Sequence, residues 1–215
     1  MGVEVKVCGL TRASDARAAA LAGARYLGMV RGGGPRRVTD AQALELVLAA
    51  AETGRLLFAV YTRQRIEEIL RDRELLRFEA VQLHGEYTER EALLLESSGL
   101  RVWRVVRLAG ADDLDRLDRI RAGSAILIEP RVPGLSGGSG FSLDSGLAQA
   151  ARARVASRSL VLAGGLTPST VAAAITAVQP DVVDVSSGVE VRPGIKEPGR
   201  VRRFVEAVLG NSPAA

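Results

Sequence analysis

The 215-residue chain has one cysteine, one histidine and one tryptophan, and only 4% of its residues are aromatic. A single cysteine allows no internal disulfide and fits a reducing compartment, the cytoplasm. One histidine and one cysteine do not make a zinc site of the usual composition. No run of about 18 apolar residues exists, so no membrane-spanning helix is expected. Met1-Gly2-Val3-Glu4-Val5-Lys6 carries charges where a secretory leader needs an apolar stretch. The chain also lacks a polybasic block. Its 29 Lys and Arg stand against 25 Asp and Glu, a net +4, with arginines scattered among acids. That argues against nucleic acid and suits an anionic small molecule.

What is present is a strict alternation of two kinds of segment. Short β-branched runs occur at 3–7, 26–30, 56–61, 78–83, 102–108, 125–128, 160–162 and 181–185. Their length and composition predict strands. Longer Ala/Leu/Arg/Glu stretches with helical spacing occur at 13–22, 41–51, 66–73, 89–97, 111–121, 143–156, 170–177 and 201–209. Ser14-Asp15 and Thr39-Asp40 read as helix openings, and Thr167-Pro168 as a cap before a proline at the first helical position. Eight βα units predict a parallel sheet closed into a (β/α)8 barrel, the TIM-barrel class.

An open doubly wound sheet is the competitor, and strand parity argues against it. Glu4, Lys6 and Cys8 share one strand face; so do Gln82 and His84, and Asp184 and Ser186. A sheet covered on both faces by helices is expected to be apolar on both. A barrel interior can hold polar groups while its outside packs on helices. One domain over residues 1–210 is expected, with 211–215 as a frayed tail.

Active sites of such barrels lie where strands run into the following loops. Cys8-Gly9, Arg36-Arg37, His84, Glu129, Gly164-Gly165 and Asp184-Val185-Ser186-Ser187-Gly188 all stand there. The last two loops expose backbone N–H groups suited to phosphate. Cys8 reads either as an inert core residue or as a base whose thiolate Lys6, Arg36 or a substrate phosphate favours. His84 reads as a ligand, as Cys8's partner in a dyad, or as a donor to a carbonyl. Glu129 follows Ile126-Leu127-Ile128, and burial there would raise its pKa and suit a general acid; the alternative is an exposed loop carboxylate. Arg36-Arg37 reads as a grip on a carboxylate or as a solvated pair. The glycine-rich stretch 133–140 reads as a lid or as a floppy connection.

These motifs together resemble the phosphoribosylanthranilate isomerase family of tryptophan (aromatic amino-acid) biosynthesis. The matching stretches are Lys6-Val7-Cys8-Gly9-Leu10-Thr11, Pro35-Arg36, Val81-Gln82-Leu83-His84-Gly85-Glu86 and Gly137-Gly138-Ser139-Gly140. Further along come Leu162-Ala163-Gly164-Gly165-Leu166-Thr167-Pro168, then Val183-Asp184-Val185-Ser186-Ser187-Gly188-Val189-Glu190, then Pro193-Gly194-Ile195-Lys196. Their order and spacing span nearly the whole chain.

The resemblance implies an Amadori rearrangement. N-(5-phosphoribosyl)anthranilate, a phosphorylated aminosugar, becomes 1-(2-carboxyphenylamino)-1-deoxyribulose 5-phosphate, with no cofactor and no metal. It implies Cys8 as general base and Glu129 as general acid. Arg36 would hold the anthranilate, its place after Pro35 favouring it over Arg37. His84 and Asp184 would support substrate at the mouth. Gly164, Gly165, Ser186, Ser187 and Gly188 would hold the phosphate. The expected assembly is a monomer or a homodimer, with no membrane and no nucleic-acid partner.

The sequence departs from the family pattern in places. The acid is normally aspartate, and Glu129 is one methylene longer. Unperturbed, the two differ by only about 0.4 pKa units. Reach matters more, because misplacement by roughly 1 Å can cost about a hundredfold in rate. Arg31-Gly32-Gly33 replaces a stretch that usually carries aromatic or apolar residues. Leu143-Asp144-Ser145 stands where Phe-Asp-Trp is common, and Glu197 where aspartate is usual. Other phosphosugar barrels compete as readings. An epimerase would want metal ligands, and a histidine-pathway isomerase would want an aspartate at position 8. A catalytically silent or substrate-shifted phosphosugar-binding barrel is the remaining alternative, supported only by Glu129.

Overall fold

A computed structural model describes residues 2–131, 143–155 and 158–210. Eight parallel strands close into a barrel in chain order: β1 (Glu4–Val7), β2 (Tyr26–Val30), β3 (Leu56–Tyr61), β4 (Ala80–Leu83), β5 (Arg101–Leu108), β6 (Ala125–Pro130), β7 (Ser159–Ala163) and β8 (Val182–Val185). Closure is made by β8 on β1, with Lys6 opposite Asp184. The helices are α1 (Ala13–Ala22), α2 (Asp40–Glu52), α3 (Ile66–Leu76), α4 (Glu89–Ser97), α5 (Asp115–Arg119), α6 (Ser145–Arg154), α7 (Val171–Val178) and α8 (Pro198–Leu209). The (β/α)8 expectation therefore holds, and the open sheet is excluded. Among the described residues no helix is long and apolar enough to cross a membrane.

Strand parity divides the core in two. Val5, Val7, Leu27, Met29, Leu83, Ile126, Ile128, Leu162 and Val183 face outward and pack beneath the helices. Each such buried side chain contributes about 1.5–3 kcal/mol of transfer free energy. The alternate residues fill the barrel. Tyr26, Phe58 and Trp103 form an aromatic cluster there, with ring centroids 4.1 to 5.8 Å apart. Lys6 and Gln82 are buried on the same inward face.

Several element boundaries differ from expectation. Thr39 caps α2 as predicted, in a reciprocal capping box with Gln42. Ser14-Asp15 does not cap α1, which starts at Ala13 with Arg12 before it. The Asp15 carboxylate is taken instead by the Arg12 guanidinium and by the Lys196 N–H. Thr167-Pro168 begins a turn in which the Thr167 N–H donates to the Thr170 hydroxyl, and α7 starts only at Val171. The cap-then-proline pattern occurs at Glu197-Pro198, where the Glu197 carboxylate accepts from the N–H groups of Gly199 and Arg200. The stretch 111–121 is a 3-10 turn at 111–114 followed by the five-residue α5, not one helix. After β8 the chain makes a 3-10 turn at 187–189 and an unforeseen hairpin, β9 (Glu190–Arg192) with β10 (Ile195–Lys196). The glycine-rich stretch 133–140 and the tail 211–215 lie outside the described residues.

Candidate active site

Cys8, Glu129, His84, Asp184 and Arg36 line one cavity of about 700 Å3 at the strand-to-loop end of the barrel. Gly164, Gly165, Ser186 and Ser187 form part of its wall. Gly188 does not line it. A Cβ added there would lie 2.0 Å from the Leu166 carbonyl oxygen, so only glycine lets the loop after β8 approach the loop after β7. No turn or loop bond among the described residues takes up the N–H of Gly164, Gly165, Ser187 or Gly188.

Cys8 directly follows β1 and is buried, its backbone N–H donating to the Val185 carbonyl. Burial pushes its thiol above the ordinary range, and the Lys6 ammonium beside it pulls only partly back. A favoured thiolate was one expectation, and in the free protein the balance runs the other way. Lys6 Nζ is 2.9 Å from Asp184 Oδ2. Burial opposes the Lys6 charge, but Asp184 and Cys8 hold its pKa up. Asp184 is also raised, by burial and by the nearby Glu129. Asp184 Oδ1 and Gln82 Oε1 are buried without a hydrogen-bond partner among the described residues, and both residues reach the cavity.

Glu129 is buried at the end of β6, so the exposed-carboxylate reading falls away. Its pKa corrects an expectation. Burial alone raises it, but His84 and Arg107 together outweigh burial and hold it below the usual carboxylate range. His84 Nε2 lies 2.8 Å from Glu129 Oε1, and Arg107 Nε donates to the same oxygen at 3.0 Å. His84 is thereby Glu129's partner rather than Cys8's. The His84 backbone N–H donates to the Tyr61 carbonyl. Arg107 lines a neighbouring cavity of about 600 Å3, which shares Thr62, Arg63 and His84 with the first.

Arg36 enters the cavity wall, and Arg37 is exposed away from it. The Arg36 side chain crosses Gly9, whose φ is +73° and where an added Cβ would lie 2.6 Å from Arg36 Cδ, so the position favours glycine. Arg36 Nε and Nη2 grip the Glu190 carboxylate, at 2.9 and 2.7 Å to their nearest oxygens. Lys196 Nζ completes the cluster at 2.8 Å from Glu190 Oε1. Burial lowers the Lys196 pKa despite that partner. Sequence reasoning assigned no role to Arg107, Glu190 or Lys196. For Arg107 a signal existed: it shares inward parity with Trp103 and Val105.

Chemically the cavity offers a thiol, a carboxyl held by two cationic or hydrogen-bonding neighbours, an oriented guanidinium and a small-residue rim suited to an anion. Among the described residues, no three His, Cys, Asp or Glu side chains group as metal ligands.

The family model of N-(5'phosphoribosyl)anthranilate (PRA) isomerase matches residues 5–207. The N-(5'-phosphoribosyl)anthranilate isomerase of Symbiobacterium thermophilum is 38% identical over 223 residues, covering 96% of this chain and 98% of that protein. The enzyme of the same name from Cereibacter sphaeroides is 39% identical over 212 residues, covering 96% and 98%. The crystal structure of phosphoribosyl anthranilate isomerase from Thermotoga maritima superposes with a TM-score of 0.86 at 30% identity, over 97% of this chain and 99% of that one. A structure of such an enzyme in complex with reduced 1-(o-carboxyphenylamino)-1-deoxyribulose 5-phosphate superposes with a TM-score of 0.84 at 30% identity, over 97% and 99%. The barrel, its cavity and these matches along almost the full length agree: the chain belongs to the phosphoribosylanthranilate isomerase family.

Proposed function

We propose that this chain carries out the isomerisation of N-(5-phosphoribosyl)anthranilate in tryptophan biosynthesis, with Glu129 as general acid and Cys8 as general base. The observation that carries this reading is that a thiol and a carboxyl, from different strands, line one cavity with an arginine and a small-residue anion rim.

Glu129 gives its proton to the furanose ring oxygen as the bond from that oxygen to C1′ breaks. The anthranilate nitrogen lone pair forms the C1′–N double bond of the Schiff base. The Cys8 thiolate then removes the C2′ proton. The C2′–H electrons become the C1′–C2′ double bond, and the C1′–N π electrons return to nitrogen. The resulting enolamine takes a proton at C1′ and loses its C2′ hydroxyl proton, giving the ketone. Arg36, oriented by Glu190, suits the anthranilate carboxylate as a charge-assisted partner. Gly164, Gly165, Ser186 and Ser187 suit the phosphate, with Gly188 keeping the two loops together. His84 reaches the reaction through Glu129. A relative from Thermotoga maritima is described as dimeric, and a homodimer is one assembly this chain could adopt.

The test is a steady-state assay with freshly made substrate, following loss of its fluorescence. Cys8→Ala and Glu129→Gln are each expected to lower kcat by about a hundredfold to ten-thousandfold. Both should still bind the reduced product analogue. Full turnover in either variant would assign that proton to another group. Analogue binding without turnover by the wild-type chain would favour a silent phosphosugar-binding barrel.

A further inference from the structure

Arg107 stands directly opposite Glu129 in the β5–β6 register. Its Nε donates to Glu129 Oε1, and its Nη2 donates to the His84 carbonyl at 3.3 Å. The His84 imidazole meets the same Oε1. The three residues therefore close a ring of contacts across β4, β5 and β6. Both bonds fall on Oε1, and among the described residues Oε2 accepts none. Arg107 belongs to the wall of the neighbouring cavity and not to the wall shared by Cys8 and Glu129.

We propose that Arg107 is a positioning residue for the general acid: it anchors Glu129 Oε1 and leaves Oε2 to face the substrate. The inference rests on Glu129 being the acid. Glutamate has one more rotatable bond than aspartate, so an unanchored carboxyl at this strand end would spread over several rotamers. Two bonds to one oxygen, from different strands, select one orientation. A guanidinium suits the task because its planar fork reaches the carboxylate and the His84 carbonyl at once. A lysine ammonium supplies charge without that fork.

The groups facing the carboxyl are Arg107 from β5, His84 at the end of β4 and Asp184 from β8. Arg107 and His84 favour the charged form, while burial and Asp184 oppose it. Removing Arg107 must therefore move the Glu129 titration to higher pH.

The experiment uses the full chain with Arg107→Ala, Arg107→Lys and Glu129→Gln. Arg107→Ala is expected to lower kcat roughly tenfold to a hundredfold with KM within about twofold. Carbon-13 NMR of carboxyl-labelled glutamate follows the acid itself, its signal identified by disappearance in Glu129→Gln. That signal should titrate at higher pH in Arg107→Ala than in wild type. Arg107→Lys should bring the titration most of the way back and recover part of kcat. Should Arg107→Ala melt before assay, Arg107→Gln removes the charge at similar length and carries the same expectation. An unchanged kcat, a raised KM with unchanged kcat, or a lost kcat with an unmoved Glu129 titration would each overturn the proposal. Wild-type turnover in Glu129→Gln would instead overturn the acid assignment, and the inference with it.

Discussion

Lys6 Nζ lies 2.9 Å from Asp184 Oδ2, joining the two strands that close the barrel, and Cys8 sits one inward position beyond Lys6. The pair is buried, and its charge reaches both candidate proton-transfer groups. Lys6 opposes the burial that raises the Cys8 thiol, and Glu129 raises Asp184. Structure and chemistry therefore share one ion pair.

Lys6→Met leaves a buried carboxylate without its cation. Breaking such a pair costs about 3–5 kcal/mol, measurable by urea denaturation. The pH dependence follows from Asp184. Its pKa is higher in the fold than in the unfolded chain, so the unfolded state releases this proton first. Its contribution is complete below the ordinary aspartate value and is lost as pH rises through the folded value. In Lys6→Met that loss should deepen. A variant as stable as wild type at neutral pH would show that the pair contributes nothing to the fold.

Cys8 is the only cysteine, so alkylation reports it without ambiguity. Burial holds its proton on, and the midpoint of its iodoacetamide reactivity should lie above the ordinary thiol value. Glu129 is held the other way. The proposed roles need a thiolate and a carboxylic acid together, whereas the resting protein favours a thiol and a carboxylate. One proton is shared between the two groups in either arrangement. kcat/KM should therefore show no limb from these two groups across neutral pH, falling only as Glu129 protonates at low pH or Cys8 ionises at high pH. A Cys8 limb near neutrality would mean the thiol is not raised.

Glu129→Asp withdraws the carboxyl by one carbon–carbon bond. The contacts to His84 and Arg107 are already at hydrogen-bond length for the longer side chain. Turnover should fall, by about a hundredfold for a displacement near 1 Å. Faster turnover would mean that glutamate is the poorer fit at this strand end.

Glu190→Gln tests how Arg36 is oriented. The carboxylate holds Arg36 through Nε and Nη2 and also neutralises Lys196. Glutamine cannot accept both guanidinium bonds equally and leaves two cations together. KM should rise about tenfold, the equivalent of one weakened charged hydrogen bond, with kcat less affected. Calorimetry with the reduced product analogue separates this loss of binding from a loss of rate. Unchanged affinity would place the anthranilate away from Arg36.

The barrel was legible because strand alternation repeats eight times, and Lys6 with Cys8, Gln82 with His84, and Asp184 with Ser186 all fell on the inward face. Glu190 was not legible as the holder of Arg36. The two are far apart in the chain and meet only through a hairpin with strands of three and two residues, too short to show a period. Arg107 shares its parity with Trp103 and Val105, but arginines also stand at 101 and 104, and that spacing of three obscures the alternation. Arg104 turns outward to Glu89 and the Tyr87 carbonyl, while Arg107 turns in. The direction of the Glu129 shift escaped because burial could be read along β6, but its opposing partners come from β4 and β5.

Gly188→Ala tests the two loops as a single anion site. Its Cβ would press on the Leu166 carbonyl, which is backbone and cannot swing aside like a side-chain tip. The loops after β7 and β8 must then move apart, at a cost of about 1–3 kcal/mol typical of overpacking. Thermal melting should record that cost. If Gly164, Gly165, Ser186 and Ser187 hold the phosphate together, separating them should also weaken competitive inhibition by inorganic phosphate. A lowered melting temperature with unchanged phosphate inhibition would locate the phosphate on one loop alone, or elsewhere on the rim.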